Sequence, residues 1–306
     1  MGRRNRGRDI SGIIVLDKPL ELSSNKALQI VKRIFNARKA GHTGSLDPLA
    51  TGLLPICFGE ATKISSYLFD AEKHYRTTAR LGKVTTTGDT EGEVIETRSV
   101  PPLERDAIEA VLGRFTGEIE QVPPMFSALK HKGQPLYKLA RQGVEIEREP
   151  RRVTIYSLAL LGFGEDTLEL AVSCSRGTYI RTLVEDIGRE LGCGAHVETL
   201  RRTGLGPYGE QDMLTLDELR ARQDQGPEAL MGCLQPVDSA LTDWPVVDLS
   251  ENLAFYLKQG QPVQVSQAPT AGVVRLYDSD GFFGIGQILD DGRVAPKRLM
   301  HLAKSA

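Results

Sequence analysis

Apolar and polar positions change period several times along this chain, and the changes mark its elements. Ser11 to Leu16 ends in an unbroken apolar run of strand length. Leu28, Val31 and Phe35 then recur at helical spacing behind a Ser23-Ser24-Asn25 cluster of N-capping residues. They predict a helix with Lys32, Arg33 and Lys39 on or beyond its other side. His74 to Leu81 is rich in threonine and aromatic residues and predicts a strand. Val94 to Thr97 predicts another, after the turn-rich segment Gly88-Asp89-Thr90-Glu91-Gly92-Glu93. Ile108, Val111, Leu112 and Phe115 predict the buried side of a helix over Leu103 to Thr116. Val153 to Leu160 and Leu168 to Ser173 have strand character. Ile180, Leu183 or Val184, Ile187 and Leu191 predict a helix from Tyr179 to Leu191, ended by Gly192.

Strands and helices mix without regular βαβ alternation, so the fold class expected is α+β with a mixed, largely antiparallel sheet. Beyond Leu230 the composition shifts. A short helix over residues 251–259 precedes strands at Pro262–Val265, Val273–Tyr277, Phe282–Leu289 and Arg293–Pro296, separated by Asp/Gly turns. That pattern predicts a small β-rich C-terminal domain. The organisation read from the chain is a flexible basic arm at 1–10, a main domain at 11–246 with an excursion at about 124–152, and the C-terminal domain at 250–306.

Composition narrows the class. Of 306 residues, 40% are hydrophobic and 25% charged, as in ordinary globular proteins. No apolar run approaches the roughly 18 residues that span a bilayer, and Ile13-Ile14-Val15-Leu16 is too short for a secretory signal. A cytoplasmic location without membrane contact is expected. Cys57, Cys174, Cys193 and Cys233 form no Cys-x-x-Cys pair, so reduced, mostly buried thiols are expected rather than zinc. His42, His74, His131, His196 and His301 are scattered and suggest no metal constellation. The net charge of −2 conceals basic segments. Residues 129–152 carry a net +4, residues 1–9 a net +3, and residues 26–39 hold five basic side chains with no acid. Such segments suit RNA, or an ordinary solvated surface.

The chemistry-bearing segment is Gly41-His42-Thr43-Gly44-Ser45-Leu46-Asp47-Pro48-Leu49-Ala50-Thr51-Gly52-Leu53-Leu54-Pro55. Its fifteen residues hold three glycines, two prolines and one carboxylate, Asp47. Glycine permits backbone shapes that other residues resist, and Pro48 biases Asp47 away from helical geometry. This describes a tightly specified loop. A lone carboxylate there is either a turn residue bonded to nearby amides or a poorly hydrated reactive group. Neither Gly-x-Gly-x-x-Gly nor a phosphate-loop Gly-Lys-Ser/Thr is present.

Taken together, separated segments resemble one family. Gly41–Pro55 resembles the catalytic motif of the TruB family of pseudouridine synthases, which modify the T-loop of tRNA. Gly12-Ile13-Ile14-Val15-Leu16-Asp17-Lys18-Pro19 is similar to the family's N-terminal motif, and Lys73-His74-Tyr75-Arg76 to its tyrosine motif. Val122 to Lys130 is similar to its insertion, and Cys174-Ser175-Arg176-Gly177-Thr178-Tyr179-Ile180-Arg181-Thr182-Leu183 to its arginine motif. The C-terminal domain resembles a PUA domain, a small RNA-binding β-barrel.

The resemblance implies isomerisation of uridine 55 of tRNA, a reaction that needs no cofactor or metal. It implies Asp47 as the reacting carboxylate, Arg181 as its partner, and Tyr75 as a catalytic residue packed against the base and helping to take the C5 proton late in the reaction. It also implies base flipping, with His42 taking the vacated space or contacting the flipped nucleotide, and Tyr179 and Leu200 lining the pocket. Lys18 would support its motif or contact phosphate, and Lys130, Arg201 and Arg202 would belong to the RNA surface. The partner implied is tRNA, through its T-arm and elbow. No protein partner is required, and a monomer is expected. Two other readings fit part of the chain. An RNA-folding factor would use the basic segments without needing Asp47, Tyr75 and Arg181 together. A nucleoside or glycoside hydrolase would need a second carboxylate, and none stands out in the sequence.

Overall fold

A computed structural model describes residues 7–302. Its elements run β1 (Gly12–Lys18), α1 (Ser24–Ile34), β2 (Ala40–His42), β3 (Thr51–Phe58), α2 (Ser65–Asp70), β4 (Lys73–Leu81), β5 (Lys83–Thr85), β6 (Val94–Thr97), α3 (Arg105–Arg114) and β7 (Gly117–Gln121). Next come β8 (Lys130–His131), β9 (Gln134–Pro135), α4 (Leu136–Ala140), β10 (Arg151–Phe163), β11 (Thr167–Cys174), α5 (Ile180–Glu190) and β12 (Ala195–Leu205). The chain ends with α6 (Leu216–Asp224), α7 (Pro227–Met231), β13 (Val246–Asp248), α8 (Glu251–Lys258), β14 (Val273–Asp278), β15 (Gly281–Ile288) and β16 (Val294–Leu299). Among the described residues no helix is long and apolar enough to cross a membrane.

The fold is α+β, as expected. An eight-stranded sheet runs β1-β3-β12-β4-β11-β10-β7, with β2 paired to β3. Every pairing in it is antiparallel except a short parallel contact of β12 with β3, where Arg201 faces Thr51 and Arg202 faces Gly52. One face of the sheet is covered by the apolar sides of α1, α3 and α5. Leu28, Val31, Ile108, Leu112, Leu183 and Ile187 join Ile14, Leu54, Ala79, Leu170 and Val197 in one core. Alternation along β4 shows the two faces: Lys73, Tyr75, Thr77, Ala79 and Leu81 are buried, while the residues between them are exposed or half-exposed. The C-terminal strands form a separate four-stranded sheet, β13-β14-β15-β16, with its own core of Leu257, Val274, Leu276 and Val294. It does not close into a barrel among the described residues.

Several sequence readings are corrected. Thr51 to Pro55, read as loop, is the start of β3, where Gly52 through Phe58 are all buried. Gly52 has φ +95°, and a Cβ there would lie 2.2 Å from the Arg202 carbonyl oxygen. The glycine is what lets β12 approach. Of the expected flexible arm, residues 1–6 lie outside the described residues. Residues 7–10 are docked: Arg8 bonds backbone-to-backbone with Asn36 and Arg38, and Ile10 is buried. Of Pro262–Val265, only Val263 pairs, with Val294.

Candidate active site

Asp47 sits in the connection between β2 and β3, and five anchors fix that loop. The Ser24 hydroxyl donates to the Leu46 carbonyl at 3.0 Å and accepts from the Leu46 amide at 2.7 Å. The Glu21 amide donates to the Pro48 carbonyl at 2.9 Å, and the Ala50 amide to the Asp47 carbonyl at 3.1 Å. Arg202 Nη2 donates to the Gly44 carbonyl at 2.9 Å. Gly44 itself has φ +66°, a left-handed conformation that costs glycine little. The loop is thus rigid where the sequence composition says it should be.

The loop forms one wall of a cleft of about 540 Å³, a size typical of ligand sites. Asp47 opens into it, its side chain 42% exposed. Tyr75 of β4, Leu200 and Arg202 of β12, Tyr179 and Arg181 at the start of α5, and Ser127 to Leu129 of the insertion line it too. Six of the sequence-predicted residues therefore converge: Asp47, Tyr75, Tyr179, Arg181, Leu200 and Arg202.

Arg181 is the hub. It is 4% exposed, and each of its terminal groups is used. Nε lies 2.9 Å from Asp47 Oδ2 and 3.6 Å from Asp89 Oδ2. Nη1 donates to the Thr87 carbonyl at 2.7 Å, and Nη2 to the Phe126 carbonyl at 2.7 Å. One guanidinium thus ties together the Asp47 loop, the turn between β5 and β6, and the insertion. Burial raises the Asp47 pKa above its ordinary value, the Arg181 charge opposes the rise, and the Asp89 carboxylate adds to it. The N-terminal end of α5 also favours a nearby anion.

Tyr75 is nearly buried, and the β4–β12 register sets it opposite Arg202. Burial raises its pKa, against the neighbouring Arg202 charge. Such a phenol suits packing better than proton removal. Tyr179 precedes α5 and is clamped by the buried Gln121, which accepts from its amide at 3.0 Å and donates to its carbonyl at 3.3 Å.

Five predicted residues, Arg202 of the cleft wall among them, lie elsewhere or play another part. Lys18 is fully buried, and its ammonium donates to the Pro19, Leu22 and Pro48 carbonyls. It braces the Asp47 loop from behind, in the supporting position of the two expected for it; burial pulls its pKa to about 8. Arg201 and Arg202 are corrected together. Arg201 makes a bidentate pair with Asp17 at 2.9 Å and a second pair with Glu210 at 3.0 Å, so its charge is already engaged. Arg202 is fully buried and donates to the Leu53 and Gly44 carbonyls. Both charges are thus engaged within the protein itself. Lys130 is exposed on the β8–β9 hairpin, beyond the cleft. His42 is half-buried at the end of β2 and does not line the cleft; its Nδ1 is buried without a partner, and burial lowers its pKa.

Sequence reasoning missed Asp89. It lies in a segment read only as a turn, yet it is 2% exposed, accepts from Thr87 Oγ1 and from the Glu91 amide at 3.0 Å, and shares Arg181 with Asp47. The one signal available was an acid inside a Gly-Asp-x-x-Gly turn. Because Asp89 is buried behind Arg181, it does not flank the cleft as a hydrolase's second carboxylate would.

Glu185, one helical turn beyond Arg181, is pushed up to about 7 by burial. A carboxyl whose folded pKa exceeds its unfolded value near 4.5 costs stability as pH rises through that interval. Glu185→Gln is therefore expected to melt at a higher temperature than wild type at pH about 8, with the difference vanishing near pH about 4. Melting curves across that range check it, and a difference independent of pH would refute it.

The comparisons agree in kind. Residues 32–180 match the family model described as TruB family pseudouridylate synthase (N terminal domain). Residues 181–242 match the tRNA pseudouridylate synthase B C-terminal domain, and residues 245–300 match Pseudouridine synthase II TruB, C-terminal. The tRNA pseudouridine synthase B of Nitrosococcus oceani is 58% identical over 299 residues, 97% of each chain. That of Pseudomonas fluorescens is 60% identical over 295 residues, 96% of each chain. Among solved structures, a chain of a Cbf5-Nop10-Gar1 complex is 26% identical, with a TM-score of 0.72 over 94% of this chain and 84% of that one.

Proposed function

The chain belongs to the TruB family of pseudouridine synthases, and on that premise we propose that it converts uridine 55 in the T-loop of tRNA to pseudouridine with Asp47 as the reacting carboxylate. At the coarser level it is an isomerase that turns uridine into pseudouridine in tRNA. The observation that carries the finer reading is the Asp47–Arg181 pair at 2.9 Å, open to a cleft that Tyr75 and Tyr179 also line.

The reaction breaks the N1–C1′ bond and forms a C5–C1′ bond. C5 loses its proton to water, N1 gains one, and no electrons are exchanged. Between the two bonds C1′ is electron-poor. An ionised carboxylate can satisfy it, by a covalent bond or as its counter-ion. Arg181 keeps Asp47 ionised and aimed. Tyr75 and Tyr179 hold the detached base while it turns, so that C5 rather than N1 meets C1′.

A uridine inside the T-loop must leave its stack to enter the cleft. His42, at the stem of the Asp47 loop with an unpartnered ring nitrogen, is proposed to meet the RNA around the extruded base. The exposed basic side chains of the insertion, Lys130, Lys132, Lys138 and Arg141, are proposed to hold T-arm phosphates. These contacts position the RNA without reading its sequence.

The test is tritium release from a T-arm stem-loop labelled at uridine C5. Wild type is expected to release tritium, and replacing the uridine at position 55 with cytidine should abolish that release. Binding without release would favour an RNA-folding factor. Release from another position would overturn the assignment to this uridine.

A further inference from the structure

We propose that Phe69 is a stacking platform for a second nucleobase, a neighbour of the target uridine on the same strand, at the rim of the active-site cleft. This rests on the reading that the cleft takes an extruded uridine. Phe69 lines the same cleft as Asp47, Tyr75 and Tyr179 but stays 52% exposed. Its ring has no aromatic or cationic partner among the described residues. Its neighbours on α2 are committed elsewhere: Tyr67 packs edge-on against Trp244 at 4.7 Å, and Leu68 is buried.

The backbone that carries Phe69 is held. The Lys73 ammonium donates to the Phe69 carbonyl at 2.9 Å and to the Ala71 carbonyl at 2.6 Å. Asp70 pairs with Arg176, which lines the cleft across from it. A ring fixed at its base and half in water is preorganised for a flat apolar partner. The cleft also supplies a counter-charge for the strand. The Arg151 side chain lines it and has no hydrogen bond or ion pair among the described residues. A free guanidinium and an open ring on one cleft are the two elements that bind an unstacked nucleotide: phosphate to the cation, base to the ring. Tyr75 and Tyr179 serve the reacting base, so the open ring is left for the next one.

The experiment measures binding and single-turnover conversion of T-arm stem-loops, intact or carrying one abasic nucleotide on either side of the target, by wild type, Phe69→Ala, Phe69→Leu and Phe69→Tyr. Phe69→Ala is expected to weaken binding of intact RNA by about tenfold or more, the usual effect of losing one base–aromatic stack. Phe69→Tyr should restore it and Phe69→Leu should not. On one of the abasic RNAs, wild type and Phe69→Ala should bind alike. A merely structural role would give the same penalty on every RNA. That result, or no penalty at all, or full rescue by leucine, would overturn the proposal. Binding with no conversion by wild type would refute the isomerase reading, and the abasic comparison would still decide whether Phe69 stacks a base.

Discussion

Asp47→Asn is expected to abolish pseudouridine formation, lowering kcat by at least about 10⁴-fold, the scale seen when a reacting side chain is removed. The substitution preserves size and leaves an oxygen to accept from Arg181, so the loop anchors at Ser24, Glu21 and Arg202 remain. What is lost is the negative charge that C1′ requires. RNA affinity should stay within about threefold of wild type, because phosphate contacts dominate it and lie outside this group. Single-turnover tritium release and a binding titration on the same RNA separate the two. Substantial turnover by the variant would show that some other group meets C1′.

The same carboxylate sets the acid side of the pH profile. Conversion requires ionised Asp47 and should fall as pH drops through its pKa. Burial and the Asp89 charge hold that pKa above the ordinary 3.8, so the loss should begin at a higher pH than an exposed aspartate would give.

The parts of this site that could be read from the chain are those encoded locally. Asp47 was conspicuous because its loop concentrates glycine, proline and a single acid. The helices carrying Val31, Leu112 and Leu183 were legible because one apolar face recurs at helical spacing. What could not be read depends on which strand lies beside which. Arg201-Arg202 looks like a basic doublet on a surface. In β12 the pleat sends the two side chains to opposite faces, one to Asp17 and Glu210, the other to carbonyls under the active site. Gly52 looks like a loop residue until β12 is seen against it. Asp89 belongs to the site only through Arg181, across a separation in sequence that no local pattern spans.

That shared arginine makes even the charge-preserving change Arg181→Lys severe. Lysine keeps the charge but offers one compact ammonium in place of a planar fork. The fork now serves Asp47, Asp89 and the Thr87 and Phe126 carbonyls at once. An ammonium that stays on Asp47 leaves those carbonyls unbonded in a buried site, at about 1–3 kcal/mol each. One that falls back to them leaves Asp47 without a partner. In the first case the carboxylate stays ionised but the segments that aim it lose their tie; in the second it loses the charge that keeps it ionised. The expected result is a fall in kcat of about 10²–10³-fold, the range for removing one preorganised electrostatic group, with RNA affinity little changed. Stability should drop as well, since the three segments meeting at Arg181 lose their common tie. A melting curve run beside the kinetics tells the two apart: near-normal turnover would refute the pairing, whereas a lower melting temperature with normal turnover would leave Arg181 as a structural brace alone.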